Sequence, residues 1–405
     1  MREAVIVATA RSPIGRAFKG SLARIRPDDL AAQVVRAALD KVPALDPADI
    51  EDLMLGCGLP GGESGFNMAR VVSLLMGMDH LPGTTVNRYC SSSLQSTRMA
   101  LHAIRAGEGD VFVSAGVETV SRSVKGHSDN LPDTRNPAFS AAAARTADRM
   151  AAGQPWSDPR EAGELPDAYI AMGLTAENVA RRNGVSRADQ DEFALRSQHL
   201  TEKAQADGFW HRDLIPVTLP GGEVADTDDS PRRGVTMESL GALDPVFVAG
   251  GSVTAGNACP LNDGAAALVI MSDTKAAELG LTPLARIVST AVSGLSPEIM
   301  GLGPVEASRR AVERAGLALS DIDLVEINEA FAAQVIASAR ELGLAPERLN
   351  VHGGAIAMGH PFGMTGARIT STLINGLQVT DKQFGLETMC VGGGQGMAMV
   401  IERLS

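Results

Sequence analysis

Cys90 has the surroundings of a reactive thiol. It lies in Val86-Asn87-Arg88-Tyr89-Cys90-Ser91-Ser92-Ser93-Leu94-Gln95, between the β-branched run Thr84-Thr85-Val86 and a stretch of helical periodicity at 94–104. A cysteine at a helix N-terminus faces unsatisfied backbone N–H groups and the positive end of the macrodipole. Both favour a thiolate, and at such positions the thiol pKa falls from ~8.5 to ~3.5–7.5. The chemistry on offer is that of a nucleophile. The competing reading is a buried structural thiol.

Four further segments carry polar or thiol side chains, three of them beside glycine. They are Thr254-Ala255-Gly256-Asn257 with Asn262-Asp263-Gly264, then Asn328-Glu329-Ala330-Phe331, then Gly353-Gly354-Ala355-Ile356-Ala357-Met358-Gly359-His360-Pro361, and Cys390-Val391-Gly392-Gly393-Gly394. Singly, each also reads as structure. Asn328 could cap a helix, His360 could be a satisfied core histidine, Cys390 a small buried hydrophobe, and the glycines a tight hairpin.

The elements that must position these residues alternate between strand and helix patterns. Strands are expected at 4–8, 53–55, 111–115, 284–290, 324–327, 387–391 and 397–402. Helices are expected at 29–42, 67–76, 305–315 and 329–342. Apolar strands covered by helices make a layered α/β fold. The two ends also resemble each other. Asp49-Ile50-Glu51-Asp52-Leu53 matches Asp321-Ile322-Asp323-Leu324-Val325, 272 positions on, and Cys90 and Arg98 stand 270 positions before His360 and Arg368. A duplication would bring two helix N-termini to one cleft. Residues 121–246 break the pattern, with turns at Asn130-Leu131-Pro132-Asp133 and Gln154-Pro155-Trp156 and one long helix near 176–208. An insertion of this size serves binding or assembly, or is a plain packing appendage.

Bulk composition narrows the class. The chain has 405 residues with a net charge of −12, which argues against a nucleic-acid-binding surface. Four widely spaced cysteines, Cys57, Cys90, Cys259 and Cys390, form no CxxC and no zinc-type cluster, so a disulfide scaffold and a metal site are both unexpected. A reducing compartment fits. There is no signal-peptide pattern at Met1-Arg2-Glu3-Ala4-Val5 and no apolar run of membrane length, so a cytoplasmic location is expected.

Taken together, the Cys90 block, Asn328-Glu329-Ala330-Phe331, Gly359-His360-Pro361 and Cys390-Val391-Gly392-Gly393-Gly394 make the chain resemble the thiolase family over essentially its whole length. That family comprises the acetyl-CoA acetyltransferases and the 3-ketoacyl-CoA thiolases. The resemblance implies two similar βαβαβαββ halves in an α-β-α-β-α layering, with a loop domain inserted in the first. The expected units are 1–120 plus 247–275, the inserted CoA-binding domain 121–246, and 276–405. It implies Cys90 as the nucleophile, His360 as its base and Cys390 as the thiol that moves a proton at an α-carbon. His360 with a water held by Asn328 would form one oxyanion hole, and the N–H groups of Cys90 and Gly392 the other. Coenzyme A or an acyl-CoA would be the substrate, near Arg232, Met172, Cys259 and Phe331. No metal or permanently bound cofactor is implied, and a homodimer or homotetramer is expected.

Three positions depart from the best-known biosynthetic members: Ala171 where they carry His, Cys259 where they carry Ser, and His352 where they carry Asn. The first points toward a degradative enzyme with a roomier acyl pocket; the second puts CoA contacts in doubt. Two other readings of the same scaffold remain: a ketoacyl synthase-type condensing enzyme, which lacks the second cysteine, and a non-catalytic acyl-CoA- or lipid-binding protein, which would have lost Cys90 or His360.

Overall fold

The computed structural model describes residues 2–123 and 134–405, so the turn expected at Asn130-Leu131-Pro132-Asp133 lies outside the described residues. The main strands are β1 (Ala4–Arg11), β2 (Asp52–Gly56), β3 (Gly83–Val86), β4 (Val111–Thr119), β5 (Asn262–Ser272), β6 (Ala285–Gly294), β7 (Leu324–Ile327), β8 (Phe384–Val391) and β9 (Gln395–Arg403). The helices that matter here are α1 (Pro27–Asp40), α2 (Met68–Leu75), α3 (Ser92–Ala106), α4 (Ser140–Ala151), α5 (Met172–Arg182), α6 (Arg187–Ala206), α7 (Gly303–Arg314), α8 (Ala332–Leu342) and α9 (Thr365–Val379).

These nine strands lie in the main sheet in the order β7-β8-β9-β6-β1-β5-β4-β2-β3, the short strand Gly15–Arg16 pairs with β5, and Val217–Thr218 with Val224–Ala225 form a separate two-stranded sheet. The two halves of the main sheet meet where β1 pairs antiparallel with β6. Outward from that seam the pairings repeat. β5 is antiparallel to β1 and to β4, and β4 is parallel to β2. Likewise β9 is antiparallel to β6 and to β8, and β8 is parallel to β7. The internal duplication is therefore present in the topology.

β1, β4 and β5 are buried at nearly every residue, as strands covered on both faces must be. One core packs α1 and α2 on the first half-sheet, through residues such as Leu30, Val34, Val72 and Val113. Another packs α7 and α8 on the second, through Ala307, Ala311, Val335 and Val400. The central core puts α3 and α9 between strands of both halves, through Leu94, Leu101, Leu268, Ile369, Leu373 and Met399. The result is the five-layered arrangement.

Two helix boundaries differ from expectation. The helix expected at 329–342 begins only at Ala332, because Phe331 is extended (φ −148°, ψ 142°). The helix expected at 176–208 is two helices. Gly184 takes a left-handed φ of 60°, and Ser186 opens α6 with a capping box to Asp189. Between the end of β4 and the start of β5, α4, α5 and α6 lie outside the main sheet.

Candidate active site

Cys90 sits in a single 3-10 turn, Tyr89–Ser91, on the connection from β3 to α3. His360 sits at the equivalent place in the second half, before α9. The two helix N-termini approach through small residues. Ser93 Oγ accepts from Ala367 N at 2.9 Å, and a Cβ on Gly366 would lie 2.3 Å from the backbone nitrogen of Leu94. On the same principle, a Cβ on Gly116 would lie 2.0 Å from the carbonyl oxygen of Gly363.

Two buried carboxylates fix the loops that carry the site. Glu118, on β4, accepts from Gly58 N (2.8 Å), Leu59 N (3.2 Å) and Gly363 N (2.9 Å), so it ties the His360 loop to the first half. Burial pushes its carboxyl up to about 7 against these three hydrogen bonds. Glu329 accepts from Ser197 Oγ (2.6 Å), Asn350 Nδ2 (2.8 Å) and Ile356 N (3.1 Å). It thereby joins α6, the strand end after β7 and the turn before His360.

His360 is held at three points. Its N–H donates to Asn262 Oδ1 at 3.1 Å, its Nδ1 lies 2.6 Å from Thr365 Oγ1, and its Nε2 lies 3.3 Å from Asn328 Nδ2. Burial, helped by Arg368, lowers its pKa to about 3, so the ring is neutral at physiological pH. Asn328 is placed by its N–H to Thr388 O at 3.0 Å. Its Oδ1 is buried and has no partner among the described residues. A buried acceptor of this kind is suited to a water or an oxygen-bearing substrate group.

The thiols gather at this point. Cys90 and Cys259 lie within electrostatic reach of each other, and both within reach of Cys390. Cys90 keeps partial solvent contact. The expectation of a depressed thiol pKa is wrong here. Burial pushes Cys90 up to about 12, and the backbone N–H groups of Gly392 and Cys90 itself only partly offset it. The resting site is a neutral thiol beside a neutral imidazole. Burial also raises Cys390 well above an ordinary thiol and Cys259 to about 12, neighbouring thiols adding to both.

Gly392 opens the loop between β8 and β9, and a Cβ there would press the Tyr89 ring at 3.3 Å. Phe331, Met172 and Cys390 share one apolar cluster with Ala176, Val253, Ala258, Met300 and Ala330. Cys259 joins it through its N–H to Ala330 O at 3.0 Å. Arg232 is exposed, with its backbone N–H on Gln198 Oε1 at 3.2 Å, and is not part of this cluster.

The sequence reading missed Thr365, Glu118 and Phe247. Thr365 follows His360 by five residues, a spacing that could have flagged it. Glu118 carries no local signal, because its partners come from distant segments. Phe247 packs edge-on against Phe331 (centroids 6.2 Å) and over Gly173, where a Cβ would lie 2.3 Å from its ring. Of the departures, Ala171 is the exposed residue before α5 and makes no side-chain cap. His352 stacks on Phe209 at 3.7 Å with rings 1° from parallel.

Among the described residues no group of three or more His, Cys, Asp or Glu is placed to hold a metal ion, and no helix is long and apolar enough to cross a membrane.

Residues 4–274 match the family model described as thiolase, N-terminal domain, and residues 281–403 match thiolase, C-terminal domain. The 3-ketoacyl-CoA thiolase of Bacillus subtilis is 43% identical over 416 residues, spanning 99% of this chain and 100% of that protein. The 3-oxoadipyl-CoA/3-oxo-5,6-dehydrosuberyl-CoA thiolase of Escherichia coli is 44% identical over 411 residues, with both chains fully covered. The crystal structure of the Bacillus anthracis acetyl-CoA acetyltransferase superposes with a TM-score of 0.87 at 39% identity, covering 100% of this chain and 99% of that one. With both halves matched by the family models and full-length relatives at this identity, the chain belongs to the thiolase family of acyltransferases.

Proposed function

We propose that the site runs CoA-dependent acyl transfer through an acyl group on Cys90. The observations that carry this are the grouping of Cys90 with Cys390 and Cys259 and the meeting of the N-termini of α3 and α9, which Cys90 and the neutral His360 immediately precede. In the cleavage direction, His360 Nε2 takes the Cys90 proton as Sγ attacks the C3 carbonyl of a 3-ketoacyl-CoA. The C2–C3 bond then breaks, leaving the shortened acyl group on Cys90 and an enolate of acetyl-CoA. Cys390 protonates the α-carbon, and acetyl-CoA departs. A thiol with a raised pKa has a strongly basic thiolate, which suits exchange with a carbon acid. Incoming CoA gives its proton to the Cys390 thiolate and attacks the Cys90 thioester. Cys90 leaves and recovers its proton from His360. Condensation of acetyl-CoA is the same path reversed.

Each carbonyl oxygen becomes negative in turn, and fixed donors at such oxygens are usually the largest catalytic contribution. The N–H groups of Cys90 and Gly392, which already point at Cys90 Sγ, serve the acyl oxygen. His360 and a water accepted by Asn328 Oδ1 serve the enolate oxygen. CoA binds along the Met172, Phe331 and Cys259 wall, with Arg232 near its adenine–pyrophosphate end, and no permanently bound cofactor takes part.

The test is incubation with acetoacetyl-CoA and mass spectrometry of the protein. An acetyl adduct on Cys90 is expected, and Cys90→Ala should lose both adduct and turnover. Turnover retained in Cys90→Ala would exclude the acyl-enzyme.

Ala171, small and exposed at the start of α5, leaves room beside Met172. We therefore read a degradative enzyme acting on longer 3-ketoacyl-CoA substrates, in line with the relatives named for 3-ketoacyl-CoA and 3-oxoadipyl-CoA. A chain-length series in the thiolytic direction decides it, and a preference for acetoacetyl-CoA would reverse the assignment. A homodimer or homotetramer is supported by the free edge strand β3 and the exposed Phe66, Leu74, Leu75 and Tyr89 near it. A monomer by light scattering would rule that out. The four free cysteines fit the reducing cytoplasm.

A further inference from the structure

We infer that Thr365 sets the tautomer of His360, holding the ring hydrogen on Nδ1 so that Nε2 is left without hydrogen, as a proton acceptor; this rests on the reading of His360 as the base.

Thr365 Oγ1 has one hydrogen to give and two close neighbours. Pro361 O lies 2.7 Å away and His360 Nδ1 lies 2.6 Å away. A carbonyl oxygen can only accept, so the hydroxyl hydrogen goes to Pro361 O. The remaining lone pair of Oγ1 then faces Nδ1, and a contact of 2.6 Å between two acceptors is untenable unless Nδ1 carries hydrogen. The other side of the ring leads to the same assignment. Nε2 has the amide nitrogen Asn328 Nδ2 at 3.3 Å. A hydrogen on Nε2 would set donor against donor. Both ring nitrogens are therefore assigned by separate neighbours.

Thr365 is itself fully buried, and its N–H donates to Pro361 O at 3.1 Å. It stands at the start of α9, whose N-terminus meets that of α3 through Ala367 and Ser93. The hydroxyl is thus rigid where the ring needs a fixed partner. A hydrogen bond at one ring nitrogen decides what the other can do, and losing that partner costs activity in proportion to the competent tautomer lost. Thr365 acts only through His360, which makes it a positioning residue.

The competing arrangement is a His360 with hydrogen on Nε2, an Asn328 amide turned to accept it, and Thr365 donating to Nδ1. In that case the ring is no base toward Cys90 in its resting form. Long-range 1H–15N spectra of protein labelled at histidine separate the two, with the His360 signals identified by their loss in His360→Ala. Wild type should show hydrogen on Nδ1 and a bare Nε2. Thr365→Val keeps the volume and removes the hydroxyl. It should move the ring mostly to hydrogen on Nε2, lower kcat about 10-fold as the competent tautomer falls to about a tenth with KM little changed, and slow acetylation of Cys90 equally. Thr365→Ser, which keeps the hydroxyl, should recover most of kcat and the wild-type spectrum. Hydrogen on Nε2 in wild type, or a Thr365→Val enzyme with unchanged kcat, would overturn the assignment. So would a Thr365→Ser enzyme as slow as Thr365→Val. Acetylation of Cys90 at the wild-type rate in His360→Ala would instead remove His360 as the base, while the tautomer is still read from the spectrum.

Discussion

A thiol pushed up to about 12 and an imidazole pulled down to about 3 cannot exchange a proton at rest. The site therefore holds no standing thiolate–imidazolium pair. Proton transfer accompanies attack on the carbonyl, when backbone N–H groups begin to share the developing charge. Across neutral pH, kcat/KM should show no inflection belonging to either partner. Glu118 is the exception nearby. It ionises at about 7 and its negative charge makes Cys90 harder to deprotonate, so kcat/KM should fall as pH rises through that value. Glu118→Gln should flatten the profile, and a step that survives the substitution would contradict this account. Cys390→Ala should still accept an acetyl group on Cys90 but complete turnover about 10²- to 10⁴-fold more slowly, measured as accumulated adduct against steady-state rate. Full turnover would remove Cys390 from the mechanism. Cys90 drew attention through its place between a strand-like and a helix-like run, whereas His360 and Cys390 were given roles only by the family resemblance, since each read singly as structure too. The protonation state of Cys90 was not legible, because a helix N-terminus is a local feature and burial is set by segments hundreds of residues away.

At the scale of elements, the site depends on α3 and α9 meeting end to end. The absence of a side chain at Gly366 permits this, since a Cβ there would sit 2.3 Å from Leu94 N and backbone cannot yield as a flexible side chain can. Gly366→Ala should destabilise by about 1–3 kcal/mol in urea unfolding. Because the two helix starts carry Cys90 and His360, it should also slow acetylation. A variant as stable and as fast as wild type would show that the contact relaxes freely. Periodicity and β-branched runs located most strands and helices, since those signals are local. They failed where a single residue changes course. Phe331 stays extended, so α8 starts three residues late, and Gly184 with Ser186 splits one expected helix into α5 and α6. Phe331 is also the residue that packs beside Cys390 and Met172, so the misplaced boundary fell in the cluster around Cys390.

For the whole molecule, the duplicated topology seals a set of ionisable groups between the half-sheets and the central helices. Glu326 on β7 and Glu387 on β8 stand side by side in the parallel register, and both are buried. Arg368 on α9 is buried near them, with its Nε and Nη2 lacking partners among the described residues, and Glu387 Oε2 is in the same position. Burial pushes both carboxyls up to about 8, with Arg368 pulling the other way. Their ordinary value is 4.5, so between that and about 8 the folded chain binds protons that the unfolded chain has released. Their contribution to stability is then complete below the unfolded pKa and is lost as pH rises through about 8. Glu387→Gln keeps the shape and the Thr370 hydrogen bond to its side-chain oxygen but cannot ionise. Its stability relative to wild type should therefore rise across this window, at up to about 1.4 kcal/mol per pH unit for one proton. Urea unfolding of both proteins at pH values spanning the window measures the difference. A constant or falling difference would mean that Glu387 stays ionised in the folded chain, charge-balanced by Arg368 on the neighbouring α9.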